Sequence, residues 1–308
     1  MLRKIAIVGA NGFVGRHLTE LLARQSVEVV GVVRSAGGGE VVRRLGGRPV
    51  QVVDLEMAAV RRLVPALSGC DGLVYTASVT VGSRNSDRTD PSGLRHVLNA
   101  CREAGIPKFL FFSGLGIAHY GIKPHCTNPY FLAKMAGEVE LFRSGVPTTI
   151  FRPAHIVGES DDFLSPLIAR MCEGPVIEIP GDGQYRLQPI AVRDAAFAIQ
   201  GALDSEWTVP RVVDLVGPEI LSYRGLIGRI ASITGQAAEV RERPVDEAIA
   251  LAHESGYFGL RPHDLACLLC DEVSDPSVVQ TLVAGKLESV DAMILKTFLA
   301  LKPEKAES

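Results

Sequence analysis

With 308 residues, 47% of them hydrophobic and 22% charged, the chain has ample material for a core in one large domain or two smaller ones. A formal net charge of −3 speaks against a general nucleic-acid binder, which needs a basic surface. No apolar run reaches the ~18 residues needed to cross a bilayer, and the short apolar run at the N-terminus leads straight into glycines, as a strand does and a signal peptide does not.

The first half alternates short β-branched runs with helical patterns. "KIAIVG", starting at Lys4, is the first buried strand, and it runs into "GANGFVG". Gly9, Gly12 and Gly15 then fall where a strand turns into a helix. In that turn Gly9 allows the tight bend, Gly12 lets the backbone approach a pyrophosphate, and Gly15 allows close helix–strand packing. The spacing is G-x-x-G-x-x-G, shifted from the G-x-G-x-x-G fingerprint, and five further strand signals follow it. The expected cofactor is therefore a dinucleotide held by Gly9, Asn11, Gly12, Phe13, Val14, Gly15 and Arg16.

A helix over Gly12–Gln25 leads to the second strand, "EVVGVV" from Glu28. Its end reads "RSAGGG", with no carboxylate before Glu40 to take a ribose 2′-hydroxyl. Arg34 and Arg16 are instead expected to meet a 2′-phosphate, which favours NADP with NAD possible. "PVQVVD" from Pro49 ends in Asp54, a candidate for the adenine amino group. "GLVYTA" from Gly72 follows, then a helix over Ser92–Ala104 and the strand "KFLFFS" from Lys108.

"NPYFLAKMAGE" opens the next helix, expected over Pro129–Arg143. Asn128 caps it, Pro129 suits its first position, and Tyr130 and Lys134 share a face beside a stripe of Phe131, Met135, Val139 and Phe142. By spacing alone the two polar residues are either a proton-transfer pair or the margin of a packed helix. "TTIFRP" from Thr148 completes six strands, and the alternation implies a doubly wound α/β fold with a parallel sheet.

After about Arg152 the rhythm changes. "VIEIP", "RLQPI" and "RVVDLVG" read as strands, "RDAAFAIQGAL" and "SYRGLIGRIASITG" as helices, and the chain from Val245 onward as mostly helical. No linker divides the halves. The expected organisation is a dinucleotide-binding domain over 1–156, joined by 187–215. A smaller, mostly helical substrate lobe covers 157–186 and 216–302, before a frayed tail at 303–308. Six cysteines lack a framework spacing and suit a reducing cytoplasm; Cys267 and Cys270 form a lone CxxC in a helical, apolar segment, where burial is expected. No histidine or carboxylate set has metal-ligand spacing, so no metal is expected.

"GANGFVGRHL", "VVDLE", "YTAS", "GLRHVLNACREAGIPKFLFFSGLG", "YFLAK", "FRPAHIVG" and "QPIAVRDAA" together resemble the extended and atypical short-chain dehydrogenase/reductase superfamily. The resemblance is nearest to the accessory subunit of respiratory complex I with this fold, and more distant to NmrA-like regulators and sugar-nucleotide epimerases. It implies a Rossmann-type sheet and makes Tyr130 and Lys134 the catalytic pair. Tyr130 would exchange a proton with a carbonyl or alcohol. Lys134 would hold the nicotinamide ribose and lower the tyrosine pKa from ~10. By the same resemblance, Leu55 beside Asp54, then Thr76, Ala77 and Ser78, and finally Pro153, Ala154, His155 and Ile156 line the cofactor. His119 and His125 precede the motif with no assigned role.

One departure stands out. The superfamily's Ser or Thr at the end of the fifth strand falls at Gly114, with Ser113 as its predecessor and the only stand-in; the usual asparagine on the preceding helix is replaced near Asp90. The resemblance thus implies hydride transfer to or from a small or apolar carbonyl or alcohol. Its alternatives are a nucleotide-sugar epimerase or dehydratase, and a non-catalytic NADP(H)-binding sensor or scaffold. A small-molecule substrate, a cytoplasmic location and a monomer or homodimer complete the expectation.

Overall fold

The computed structural model describes residues 2–53, 55, 61–77, 92–122, 127–206, 211–254, 257, 260 and 262–301. Its centre is a parallel sheet of β1 (Lys4–Val8), β2 (Glu28–Val33), β3 (Arg48–Gln51), β4 (Gly72–Tyr75), β5 (Phe109–Phe112), β6 (Thr148–Pro153) and β11 (Arg211–Leu215). The order is β11-β6-β5-β4-β1-β2-β3. Beside these strands lie α1 (Phe13–Arg24), α2 (Ala36–Arg44), the single turn α3 (Val64–Leu67), α4 (Ser92–Glu103), α5 (Pro129–Ser144) and α7 (Val192–Asp204). This is the doubly wound Rossmann-type fold.

Strand periodicity explains why the apolar runs are continuous. In β1, Ile5 and Ile7 enter the core beneath α1, α2 and α7, while Ala6 and Val8 enter the one beneath α4 and α5. Val29 and Val33 alternate with Val30 and Val32 in the same way. Successive side chains leave opposite faces, and helices cover both, so every position in the strand must be apolar. The strand order reverses between β1 and β4. Their carboxyl ends therefore open a crevice, which is where ligands enter sheets of this kind.

A second core builds the smaller, mostly helical lobe. It gathers Val157, Leu164, Ile168, Ile177, Tyr223 and Ile294, among others, from α6 (Leu164–Glu173), α8 (Tyr223–Thr234), α9 (Val245–Glu254), α10 (Pro262–Leu268) and α12 (Val290–Leu301). Short ladders join β7 (Ile156–Val157) to β10 (Ile190–Ala191), β8 (Val176–Pro180) to β13 (Glu239–Arg243), and β9 (Arg186–Leu187) to β12 (Leu221–Ser222). One piece of the segment expected in this lobe packs elsewhere. In α11 (Ser277–Val283), Val279 joins the sheet core, and a Cβ added to Gly201 of α7 would meet the Leu282 carbonyl at 2.2 Å. Close approach of α11 to α7 accounts for the glycine.

Among the described residues no helix is long and apolar enough to cross a membrane, and no group of three or more His, Cys, Asp or Glu is placed to hold a metal ion. The cysteines hold a surprise for the spacing argument. Cys70, Cys101 and Cys267 are free, but Cys270 is disulfide-bonded. Sequence spacing does not report which thiols meet in space.

Candidate active site

The glycine loop has the shape its spacing predicts. Gly9 sits at φ +87°, a backbone region closed to most side chains, and its amide donates to Val32 O. A Cβ on Gly15 would lie 2.1 Å from the Gly9 carbonyl, so α1 approaches β1 only because residue 15 has none. Gly12 is the exposed N-cap of α1, without a side-chain cap, and the Gly12 amide donates to Gly9 O at 2.9 Å. The helix N-terminus is thereby left open toward the crevice. Asn11 lies against Gly38 of α2, and Val14 packs on the sheet core.

At the end of β2, Arg34 is exposed, and Ser35 caps α2 by accepting from the Gly38 amide at 3.2 Å. A groove of about 130 Å³ opens there, lined among others by Val33, Ser35, Gly39, Gln51 and the paired Glu40 and Arg43. Arg16, the second cation expected at this end, is engaged elsewhere. Its Nη2 donates to Glu159 O at 3.0 Å and its guanidinium lies over the Phe13 ring. It ties α1 to the loop after β7, which leaves Arg34 as the basic residue directly beyond β2.

Thr76 likewise turns inward: its hydroxyl donates to Val8 O at 3.0 Å and lies 3.3 Å from Gly9 O. With Ala77 it brackets the glycine loop instead of standing free at a ribose. Leu55 packs in the core under α4, over Gly93, and its carbonyl lies 2.8 Å from His96 Nδ1. Asp54, Ser78, Asp90 and His125 lie outside the described residues. His119 ends a 3-10 turn, Leu115–His119.

The helix that carries the YxxxK motif begins as expected. Asn128 accepts from the Tyr130 amide at 2.9 Å, Pro129 occupies the first turn, and Gly145 ends the helix at φ +70°. The expected stripe does not hold. Phe131 is fully buried, yet Met135, Val139 and Phe142 are 37%, 44% and 52% exposed, and the inner face is Phe131, Gly137, Glu138 and Leu141. The reason is a buried charge: Glu138 turns inward to a two-pronged pair with Arg152 of β6, at 3.0 and 2.7 Å. Gly137 fits against the Phe111 ring, where a Cβ would come within 2.8 Å.

Lys134 follows this rotation. Its Nζ donates to Phe112 O, the last carbonyl of β5, at 2.8 Å and lies 5.5 Å from the centres of the Tyr130 and Phe111 rings. Burial pulls the ammonium down to about 8, against the opposing pull of Cys267 and Glu138. A Cβ on Gly114 would stand beside the Tyr130 ring and hydroxyl. Ser113 does not replace the missing hydroxyl: it is 1% exposed, with its Oγ buried and without a hydrogen-bond partner. One residue along a strand end reverses the face, so the serine is aimed into the protein and the glycine at the tyrosine.

Pro153 pairs with Leu215 at the end of β6, Ala154 is buried, and Ile156 begins β7. Between them His155 is packed. Its Nδ1 lies 2.8 Å from Glu272 Oε2 and its ring centre 4.0 Å from that of Phe163. Sequence reasoning passed over Glu272, and over the Glu138–Arg152 pair, because single carboxylates in "CDEVSD" and "AGEVE" carry no periodic signal.

A family model described as NAD(P)H-binding matches residues 9–162, from the first glycine of the loop to beyond β7. The chain belongs to this NAD(P)H-binding family, within the extended short-chain dehydrogenase/reductase superfamily. The NAD(P)H-binding chain is 26% identical over 187 residues to human sterol-4-alpha-carboxylate 3-dehydrogenase, decarboxylating, covering 54% of itself and 48% of that protein. It is 24% identical over 226 residues to the mitochondrial NADH dehydrogenase [ubiquinone] 1 alpha subcomplex subunit 9 of Arabidopsis thaliana, covering 71% and 55%. It thus spans about half the length of each of these relatives. Its fold is that of a Bacillus cereus UDP-glucuronic acid 4-epimerase variant crystallised with a fluorinated UDP-glucuronic acid and NAD. That likeness has a TM-score of 0.75 at 19% identity and covers 96% of this chain and 98% of that one.

Proposed function

We propose that this NAD(P)H-binding protein is an oxidoreductase that moves a hydride to or from an apolar carbonyl or secondary alcohol, with NADP preferred. The observation that supports the reading is that Tyr130 and Lys134 share one helix beside the end of β5, with Lys134 Nζ on Phe112 O and the Tyr130 hydroxyl beside Gly114. The residues fit a dinucleotide: Gly9 and Gly15 make a cradle that a Cβ would fill, and α1 presents an uncapped N-terminus. When bound, the nicotinamide supplies the hydride. Tyr130 holds the proton for the substrate oxygen, and the desolvated Lys134 ammonium favours the ionised tyrosine and offers donors to ribose hydroxyls.

An apolar substrate suits the covering segment, where Ala266, Cys267 and Cys270 pack with Tyr130 and Phe131. A nucleoside diphosphate sugar suits it less. Arg186, Arg224, Arg229 and Arg243 of the smaller lobe each already face a carboxylate. The second reading, a non-catalytic sensor or scaffold, is favoured by one observation: Gly114 brings no hydroxyl to Tyr130.

Tyr130→Phe separates the two. NADPH oxidation with a panel of apolar ketones is expected to fall ~10²-fold or more, with NADPH affinity and thermal stability nearly unchanged. Equal rates in the variant and the wild type would leave the sensor reading.

A further inference from the structure

The segment that carries Glu272 is fastened along its length. Asp271 accepts from the Arg186 amide at 2.9 Å and from its guanidinium at 3.1 Å, and the Glu272 amide donates to Arg186 O at 2.9 Å. The Ser274 amide donates to Gln188 Oε1 at 2.9 Å, and the Ser274 hydroxyl to Asp214 Oδ2 at 2.7 Å. Midway, the Glu272 carboxylate crosses to His155, with side-chain exposures of 5% and 11%. Just upstream, α10 lies over Phe131 and Tyr130. One buried ion pair therefore joins two elements at the carboxyl end of the sheet. They are the Pro153–Ile156 loop beside the dinucleotide crevice and the segment that covers the YxxxK pair.

Stability alone does not explain such a pair. Desolvating two charges costs about what their attraction returns, so two apolar side chains of similar volume would hold the segment as well. A histidine paired with a carboxylate does something that apolar groups cannot. Its charge, and with it the grip on the segment, depends on its surroundings.

We propose that Glu272 is a positioning residue for the dinucleotide site: through His155 it fixes the Pro153–Ile156 loop and closes the C-terminal segment over Tyr130 and Lys134, so that closure and dinucleotide binding strengthen each other. The proposal rests on the dinucleotide reading above. The groups facing His155 are Glu272, Asp264 from α10 and Asp161 from the turn before α6. Burial works against the imidazolium, but these carboxylates, Glu272 foremost, outweigh it and raise the His155 pKa. The contribution of the pair is complete below the ordinary histidine value of ~6.5 and is lost as pH rises through the higher folded value. Because binding and closure are linked, dinucleotide affinity falls over the same interval.

The test is an NADPH titration by cofactor fluorescence across pH, on the wild type, Glu272→Gln, His155→Gln and the double variant. Each single variant is expected to bind about 10-fold more weakly at low pH and to lose the part of the pH dependence due to the pair; any dependence from Lys134 stays common to all four. The double variant, with a neutral amide pair, is expected to lose much less than the two single losses together. Glu272→Gln binding like the wild type at every pH, or strictly additive losses, overturns the proposal. Hydrogen exchange in the wild type is the second readout and needs no variant. NADPH is expected to slow exchange of residues 262–275, more at low pH than at high. No change in that segment while NADPH is bound overturns the proposal alone; no binding of NADPH or NADH at any pH overturns it together with the dinucleotide reading.

Discussion

A Cβ built on Gly114 would stand 3.9 Å from the Tyr130 hydroxyl and 3.7 Å from Cε1 of its ring. Position 114 thus faces the tyrosine at ordinary contact distance. Its backbone, at φ −156° and ψ 140°, is extended and open to any residue. A side chain placed there would stand beside the Tyr130 hydroxyl.

Gly114→Ser is accordingly a gain-of-function variant. A hydroxyl beside Tyr130 would donate to the substrate oxygen where charge develops, and single donors of this kind contribute 10-fold or more, as an order of magnitude. Turnover of any ketone that the wild type reduces is expected to rise about 10-fold. Thermal stability should hold, because the new Cβ meets no overlap. An unchanged rate in a folded variant would separate Tyr130 from the chemistry.

Lys134 sets a pH dependence of known sign. Its folded pKa of about 8 lies below the ordinary lysine value of 10.5, so between those values the unfolded chain binds more protons. Stability should therefore rise as pH climbs from about 8 to about 10.5, and the cost of the charged, desolvated ammonium is present in full below that window. Lys134→Met removes this slope. At neutral pH the variant is expected to be at least as stable as the wild type, by about 1–2 kcal/mol once partial exposure is allowed for, while binding NADPH more weakly. Denaturant unfolding at several pH values measures it; parallel wild-type and variant curves across the window would contradict the buried-ammonium account.

Arg34 is the exposed cation beyond β2, next to the groove that Ser35 and Gln51 help to line. Charge-assisted contacts contribute about 1.5–3 kcal/mol, so Arg34→Ala should weaken NADPH ~10-fold or more and leave NADH nearly unchanged. Arg16→Ala should not discriminate between the two, because its guanidinium is held by Glu159 O. Calorimetric titration with both dinucleotides decides; an NADH preference in the wild type would remove Arg34 from this role.

Much of the local geometry was legible in the residues themselves. The six expected strands form; the inner ones, buried on both faces, must be largely apolar, while the edge strand β3 is half exposed and carries Arg48 and Gln51. Gly9 and Gly15 were readable for the same local reason: a positive φ, and a helix so near that a Cβ would lie 2.1 Å from the Gly9 carbonyl, admit only glycine. Asn128, Pro129 and the four-residue step from Tyr130 to Lys134 also act within one turn of helix. The helix α2 was not visible, since three consecutive glycines oppose helix locally; packing of Gly38 on Asn11 and Gly39 near Pro49 overrides that preference.

Tertiary structure alone decided the rest. Which face of α5 turns inward depends on Arg152, fourteen residues from Glu138 and on another element. Whether Ser113 or Gly114 meets Tyr130 depends on the pleat at the end of β5. The pairing of His155 with Glu272 joins residues more than a hundred positions apart. Local patterns encode what a segment does with its own backbone and its own faces. The partners of a buried charge are chosen by desolvation, which acts only after distant segments have met.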